Sequence, residues 1–130
     1  MLNRILWQIK QYTPPKIARR IKWFIQRGRR GWADCDTWAL DGYLCSVLPQ
    51  ALTYLKKHKH GIPCEFVPID STPEEFEAAK IKWDNIMDKM ILGFKAWEQI
   101  LDDGYGKEEL HQQWEEGSKL FIEHFGNLWD

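Results

Sequence analysis

The chain has 130 residues, 44% of them apolar, with 18 Lys/Arg against 19 Asp/Glu. That length suits one domain with its own core and needs no metal or disulfide staple. Three cysteines without CxxC spacing (Cys35, Cys45, Cys64) argue against a secreted disulfide framework, and no run approaches the ~18 apolar residues of a membrane span.

In chain order, Leu2, Ile5, Leu6 and Ile9 recur at the spacing of an amphipathic helix over 2–12. Charge interrupts this segment too often for a secretory leader. Tyr12-Thr13-Pro14-Pro15 ends it, because residues ahead of proline leave the helical region, and Thr13 can cap the next helix. That helix is predicted over 15–27, with Ile17, Ile21 and Phe24 on its apolar line, and with Gly28 and Gly31 stopping it. A third helix is predicted over 35–58, capped by Asp34 or Asp36 and kinked or split at Pro49. It carries two apolar rows. Trp38, Cys45, Leu48, Leu52 and Leu55 form one; Leu40, Leu44, Val47 and Ala51 form the other. A helix apolar on two sides reads as the central one.

Residues 60–73 hold three prolines and form the longest predicted loop. Ser71 or Thr72 ahead of Pro73, Glu74 and Glu75 is a helix start, with hydroxyl cap, early proline and acids on the dipole. The helix spans 73–101, striped by Trp83, Met87, Met90, Phe94, Trp97 and Leu101. After a turn at 102–106, a last helix spans 107–127, with Gly117 allowing a neighbour to approach closely. Five helices and no period-two stretch predict an all-α, single-domain helical bundle over 1–130.

Charge divides this chain in two. Residues 1–33 carry nine Lys/Arg and no acid; residues 34–130 carry the other nine and all nineteen acids. The expectation is a basic helical arm (1–33) joined to an acidic bundle body (34–130). The join, residues 27–44, concentrates three arginines, three aspartates and two of the eight tryptophans. In a helix starting at Asp34, that residue, Trp38 and Asp41 share a face, and Asp41 falls on an apolar stripe where a carboxylate needs a cation.

Two readings follow for Arg27, Arg29, Arg30, Trp32, Asp34, Trp38 and Asp41. In one, they form a pocket whose arginines hold an anion. In the other, which is favoured, they form a salt-bridge lock with Trp32 and Trp38 as core anchors. The basic arm, with Trp7, Tyr12 and Trp23, permits nucleic-acid binding, but the acidic body opposes a phosphate backbone.

Chemistry elsewhere is thinly signalled. Glu108-Glu109-Leu110-His111 is a single ExxH where a di-iron bundle needs two, and His58, His60 and Cys64 lack a recurring zinc spacing. His124 reads as a surface or cap residue. Neither GxSxG nor GxxxxGK[ST] occurs. Cys35 could be an activated thiol at a helix start near arginines, but two aspartates flank it. The reading is therefore non-enzymatic, with no cofactor and no metal.

The string from Arg30 to Asp41 resembles a small group of bacteriophage-encoded proteins sharing an RGWxDxDTWxLD core. They also share a following HGxP (here His60–Pro63), a WxxIxxxM helix (Trp83 to Met90) and a Leu-Phe…Phe-x-x-Leu-Trp-Asp ending (Leu120 to Asp130). The resemblance covers the chain from about residue 23. It implies phage origin and a host-cytoplasm setting, and it supplies no catalytic residue. The resulting expectation is a host-takeover or counter-defence factor that binds an anionic nucleotide signal or a host protein. The alternatives are a homo-oligomeric assembly protein joined basic arm to acidic body, and an acidic nucleic-acid mimic that blocks a basic host protein. No membrane partner is expected.

Overall fold

A computed structural model describes residues 15–129. The helix expected over 2–12 and the cap expected at Thr13 lie outside these residues. The described residues are all helical, without a strand, and contain four α-helices: α1 (Pro15–Arg30), α2 (Leu40–His58), α3 (Pro73–Asp103) and α4 (Glu108–Glu123). Short 3-10 turns occur at Asp34–Thr37, Cys64–Phe66 and Phe125–Asn127. Two compact units result, one ending at Leu40 and the other starting at Asp41.

In the first unit α1 opens on Pro15, where a missing N–H costs nothing. It continues through Gly28 and ends at Gly31, whose φ of 82° is the left-handed conformation that glycine adopts most easily. The Gly31 N–H still reaches the Arg27 carbonyl at 2.9 Å. The helix outlasts its expected end because an interior glycine weakens a helix by only about 1 kcal/mol, while Arg27, Arg29 and Arg30 complement the negative end of the dipole.

The third helix does not begin at Asp34 or Asp36. Those residues form a 3-10 turn, with Asp36 N–H donating to Ala33 O and Trp38 N–H to Cys35 O. The Asp36 carboxylate folds back to accept from Ala33 N–H at 2.7 Å, and Thr37 Oγ1 donates to Asp34 O. Each side chain serves the tight turn, so α2 starts only at Leu40.

In the second unit α2 is continuous and Pro49 does not split it. Its row of Cys45, Leu48, Leu52 and Leu55 faces the core, whereas Leu40, Leu44 and Val47 stay exposed. The central helix is therefore α3, which supplies Trp83, Met87, Met90 and Ile100, the largest fully buried side chains. It starts as a capping box: Glu75 N–H donates to Thr72 Oγ1 at 3.2 Å, and Thr72 N–H to Glu75 Oε2 at 2.8 Å. Lys56 pairs with Asp88 and Lys59 with Asp84, so α2 runs antiparallel to α3. On its other side α3 meets α4 at Gly93 and Gly117, the close approach expected of Gly117. Phe94 lies edge-on to Trp114 and Phe121, and Trp97 packs on Trp114 at 5.0 Å. The fourth helix ends at Glu123, four residues short of expectation, and a 3-10 turn follows it.

Candidate binding surface

The turn after α1 is held by two ion-pair groups. Arg27 grips Asp36 with both prongs of its guanidinium: Nε donates to Oδ2 at 2.9 Å and Nη2 to Oδ1. Asp36 is a buried charged residue, and Ala33 N–H supplies its third bond. The Arg27 fork holds the Asp36 carboxyl down to about 2 against the opposing effect of desolvation. A buried carboxylate so paired is an internal lock.

The second group is more open. Gln26 and Asp34 bond reciprocally, Nε2 to Oδ2 at 2.8 Å and Asp34 N–H to Gln26 Oε1 at 3.0 Å. Arg30 pairs with the other oxygen of Asp34, and Lys22 approaches at 3.1 Å. Gln26 first, then Arg30 and Lys22, keep the Asp34 carboxyl well below the usual range. Arg30 also donates to Trp32 O at 3.0 Å, and its guanidinium lies 3.7 Å from the centre of the Trp32 ring.

Four of the seven expected residues, Arg27, Arg30, Trp32 and Asp34, thus belong to one constellation within the first unit. Arg29 is exposed and has no ion-pair partner among the described residues. Trp38 is 75% exposed, with an edge contact to Trp23 at 5.9 Å, and Trp32 is also exposed, so neither anchors a core. Asp41 belongs to the second unit, exposed at the N-terminal end of the α2 row that holds Cys45 and Leu48, and accepts from Trp97 Nε1 at 3.2 Å. Asp41 thus keeps the expected line with Cys45 and Leu48, but at the exposed start of the helix an indole N–H meets it where a cation was expected. Sequence reasoning left Gln26 and Lys22 out of the set and read Asp36 as a helix cap, without pairing it with Arg27. Arg27 and Asp36 meet only through the turn at Gly31, and no helical periodicity signals a nine-residue separation.

Beside the lock lies an open groove of about 640 Å³, lined by Arg20, Ile21, Trp23, Phe24, Arg27 and Cys35. No residue of α1 is buried, although it carries Ile17, Ile21, Phe24 and Ile25; Phe24 is 78% exposed. Cys35 Sγ stands 3.7 Å from both Arg27 Nη2 and an Asp36 oxygen, within the lock. Among the described residues no group of three or more His, Cys, Asp or Glu side chains is placed to hold a metal ion. No helix there is long and apolar enough to cross a membrane. His124 caps α4 and packs against Phe66 and Trp83, with Nδ1 3.1 Å from Glu65.

Comparison with family models, with curated proteins and with solved structures finds no match to this chain.

Proposed function

We propose that this is a non-enzymatic binding protein whose helix α1 docks into an acidic, apolar groove on a partner protein. The observation that carries the reading is the open face of α1. It is a sixteen-residue helix with Ile17, Ile21, Phe24 and Ile25 on its apolar side, no acidic residue and no buried residue. Amphipathic helices of globular proteins bury such a stripe, and laying it in a partner's groove is a standard mode of helix recognition. Lys16, Arg19, Arg20, Lys22 and the arginines at its end select an acidic partner by charge complementarity. An anionic nucleotide held by Arg27 and Arg30 is less well supported, because both guanidinium groups already bond to carboxylates. The motif resemblance suggests the setting, a phage accessory factor of host-takeover or counter-defence type in the host cytoplasm.

Self-assembly is the second reading. The C-terminal end of the second unit exposes Ile122, Phe125 and Trp129, with Glu123 beside them in the chain, an apolar surface for another copy's α1. Affinity capture from host cells, paired with light scattering of the purified protein, separates the two. Docking on a host protein predicts a monomer that retains one acidic partner, lost with the double variant Ile21→Asp, Phe24→Asp. Self-assembly predicts oligomers that the same variant dissociates. A monomer whose captured proteins are the same for both forms would defeat both readings.

A further inference from the structure

A second surface lies in the acidic unit and has the opposite charge. Between α2 and α3 an open groove of about 550 Å³ is lined by Gln50, Thr53, Tyr54, Lys57, His58 and Lys95, with Pro49 at its wall. Its size falls within the range of small-molecule sites, roughly 300–1,000 Å³. No carboxylate lines it, although residues 41–130 carry seventeen acids against nine Lys/Arg. The neighbouring lysines show the contrast. Lys56 bonds both oxygens of Asp88, at 2.6 and 2.7 Å, and Lys59 pairs with Asp84, whereas Lys57 and Lys95 have no ion-pair partner among the described residues.

The groove also contains a stacked aromatic pair with an outer face open to solvent. Tyr54 and His58, one helical turn apart, stack at 4.0 Å between centroids and 24° between planes, and Tyr54 is 67% exposed. His58 Nδ1 lies 2.9 Å from Tyr54 O. A carbonyl can only accept, so Nδ1 carries the proton and Nε2 is left to bond elsewhere. Gln50 donates its amide to Ser46 O at 2.7 Å, leaving its own Oε1 open as an acceptor.

From this juxtaposition we infer that the Tyr54–Lys95 groove is a binding site for a nucleoside polyphosphate, with the base on the exposed face of Tyr54 in the stacked Tyr54–His58 pair and the phosphates between Lys57 and Lys95. Two lysines match one short phosphate chain. A longer nucleic acid would meet the surplus acids of the unit, which repel a polyanion. Oε1 of Gln50 suits an exocyclic amine of the base.

Isothermal titration of the full chain at low salt, with ATP, adenosine and inorganic tripolyphosphate as probes, tests the site. ATP binds more tightly than either fragment by about tenfold or more, since each fragment lacks either the stacking or the charge contacts. Lys57→Glu with Lys95→Glu weakens ATP binding by at least about tenfold, and Tyr54→Ala removes the advantage of ATP over tripolyphosphate. All three positions are exposed, and an unchanged far-UV circular dichroism spectrum verifies that the fold survives. No heat with ATP at millimolar concentration, or affinity indifferent to both variants, would overturn the proposal. Tighter binding of a dT oligonucleotide than of ATP would overturn the assignment to a small ligand.

Discussion

Gly93 and Gly117 touch backbone to backbone where α3 meets α4: a Cβ on Gly93 would stand 2.7 Å from the Gly117 Cα. A Cβ on Gly117 would meet the Lys89 carbonyl oxygen at 2.5 Å. Neither neighbour is the movable end of a side chain, so the helices must separate to admit a methyl group. The aromatic contacts of Phe94 with Trp114 and Phe121 depend on the same spacing. Gly117→Ala should therefore destabilise the protein by about 1–3 kcal/mol despite its better helix propensity. Gly28→Ala is the control: it lies inside α1 with nothing within 4 Å of the added carbon, and stability should be unchanged or rise by up to about 1 kcal/mol. Thermal melts of the two variants check both signs, and equal losses would show that helix separation is not the cause.

The Arg27–Asp36 lock predicts an acid response of definite sign. The Asp36 carboxyl sits at about 2 in the folded protein against a usual value of 3.8. Folding thus favours the ionised form. The stabilisation is complete above about 3.8 and is lost as pH falls through about 2. Asp34 is shifted in the same direction by Gln26, Arg30 and Lys22 and adds to the loss. Urea melts between pH 2 and pH 5 should show stability rising with pH, with a shallower rise in Asp36→Asn. That variant keeps an acceptor for Ala33 N–H and removes the charge facing Arg27. An identical slope in both proteins would show that other carboxylates carry the dependence.

Local signals were the legible ones. The Thr72–Glu75 capping box, the Gly117 contact and the stripe from Trp83 to Trp97 each rest on residues a few positions apart, and all appear in the structure. The start of α2 was misread because Asp34 and Asp36 are good caps in isolation. Only the folded turn shows them spending their oxygens on Ala33, Gln26, Arg27 and Arg30. The choice of central helix failed for a related reason. Two apolar rows on α2 have the same periodicity, and periodicity does not say which row finds a partner. Of the seven expected site residues, the arginines were legible as a cluster. Their individual partners were not, since Arg27 and Arg30 choose between aspartates by the geometry of one glycine turn.

The three cysteines should separate cleanly by reactivity. Cys64 is exposed, Cys35 is half-buried, and Cys45 is buried in the core. Burial, with Asp41 and Glu98 nearby, pushes the Cys45 thiol up to about 11. A thiol reagent at pH 8 meets little thiolate there and no open path. Native protein should thus titrate two thiols, Cys64 faster than Cys35, with the third appearing only in denaturant. The same shift gives a sign at high pH. The unfolded thiol ionises first, so Cys45 subtracts stability as pH rises from about 9 towards 11. Three thiols reacting at one rate in native protein would contradict the burial of Cys45.

The open stripe of α1 allows stability and binding to be separated. Ile21 and Phe24 lie on an exposed face, and Phe24 keeps 78% of its surface in solvent. Charged substitutions at such positions remove little buried area, so Ile21→Asp with Phe24→Asp should move stability by no more than about 0.5 kcal/mol per site. Arg27→Ala in the same helix is different in kind. It strips the buried Asp36 carboxylate of its charge partner and should lower the melting temperature clearly, because an uncompensated buried charge is costly. If the stripe docks a partner, the double variant loses binding while its melt is unchanged, and Arg27→Ala loses stability whether or not a partner is present. A large stability loss in the double variant would mean instead that Ile21 and Phe24 support the fold, and the docking role of α1 would have to be abandoned.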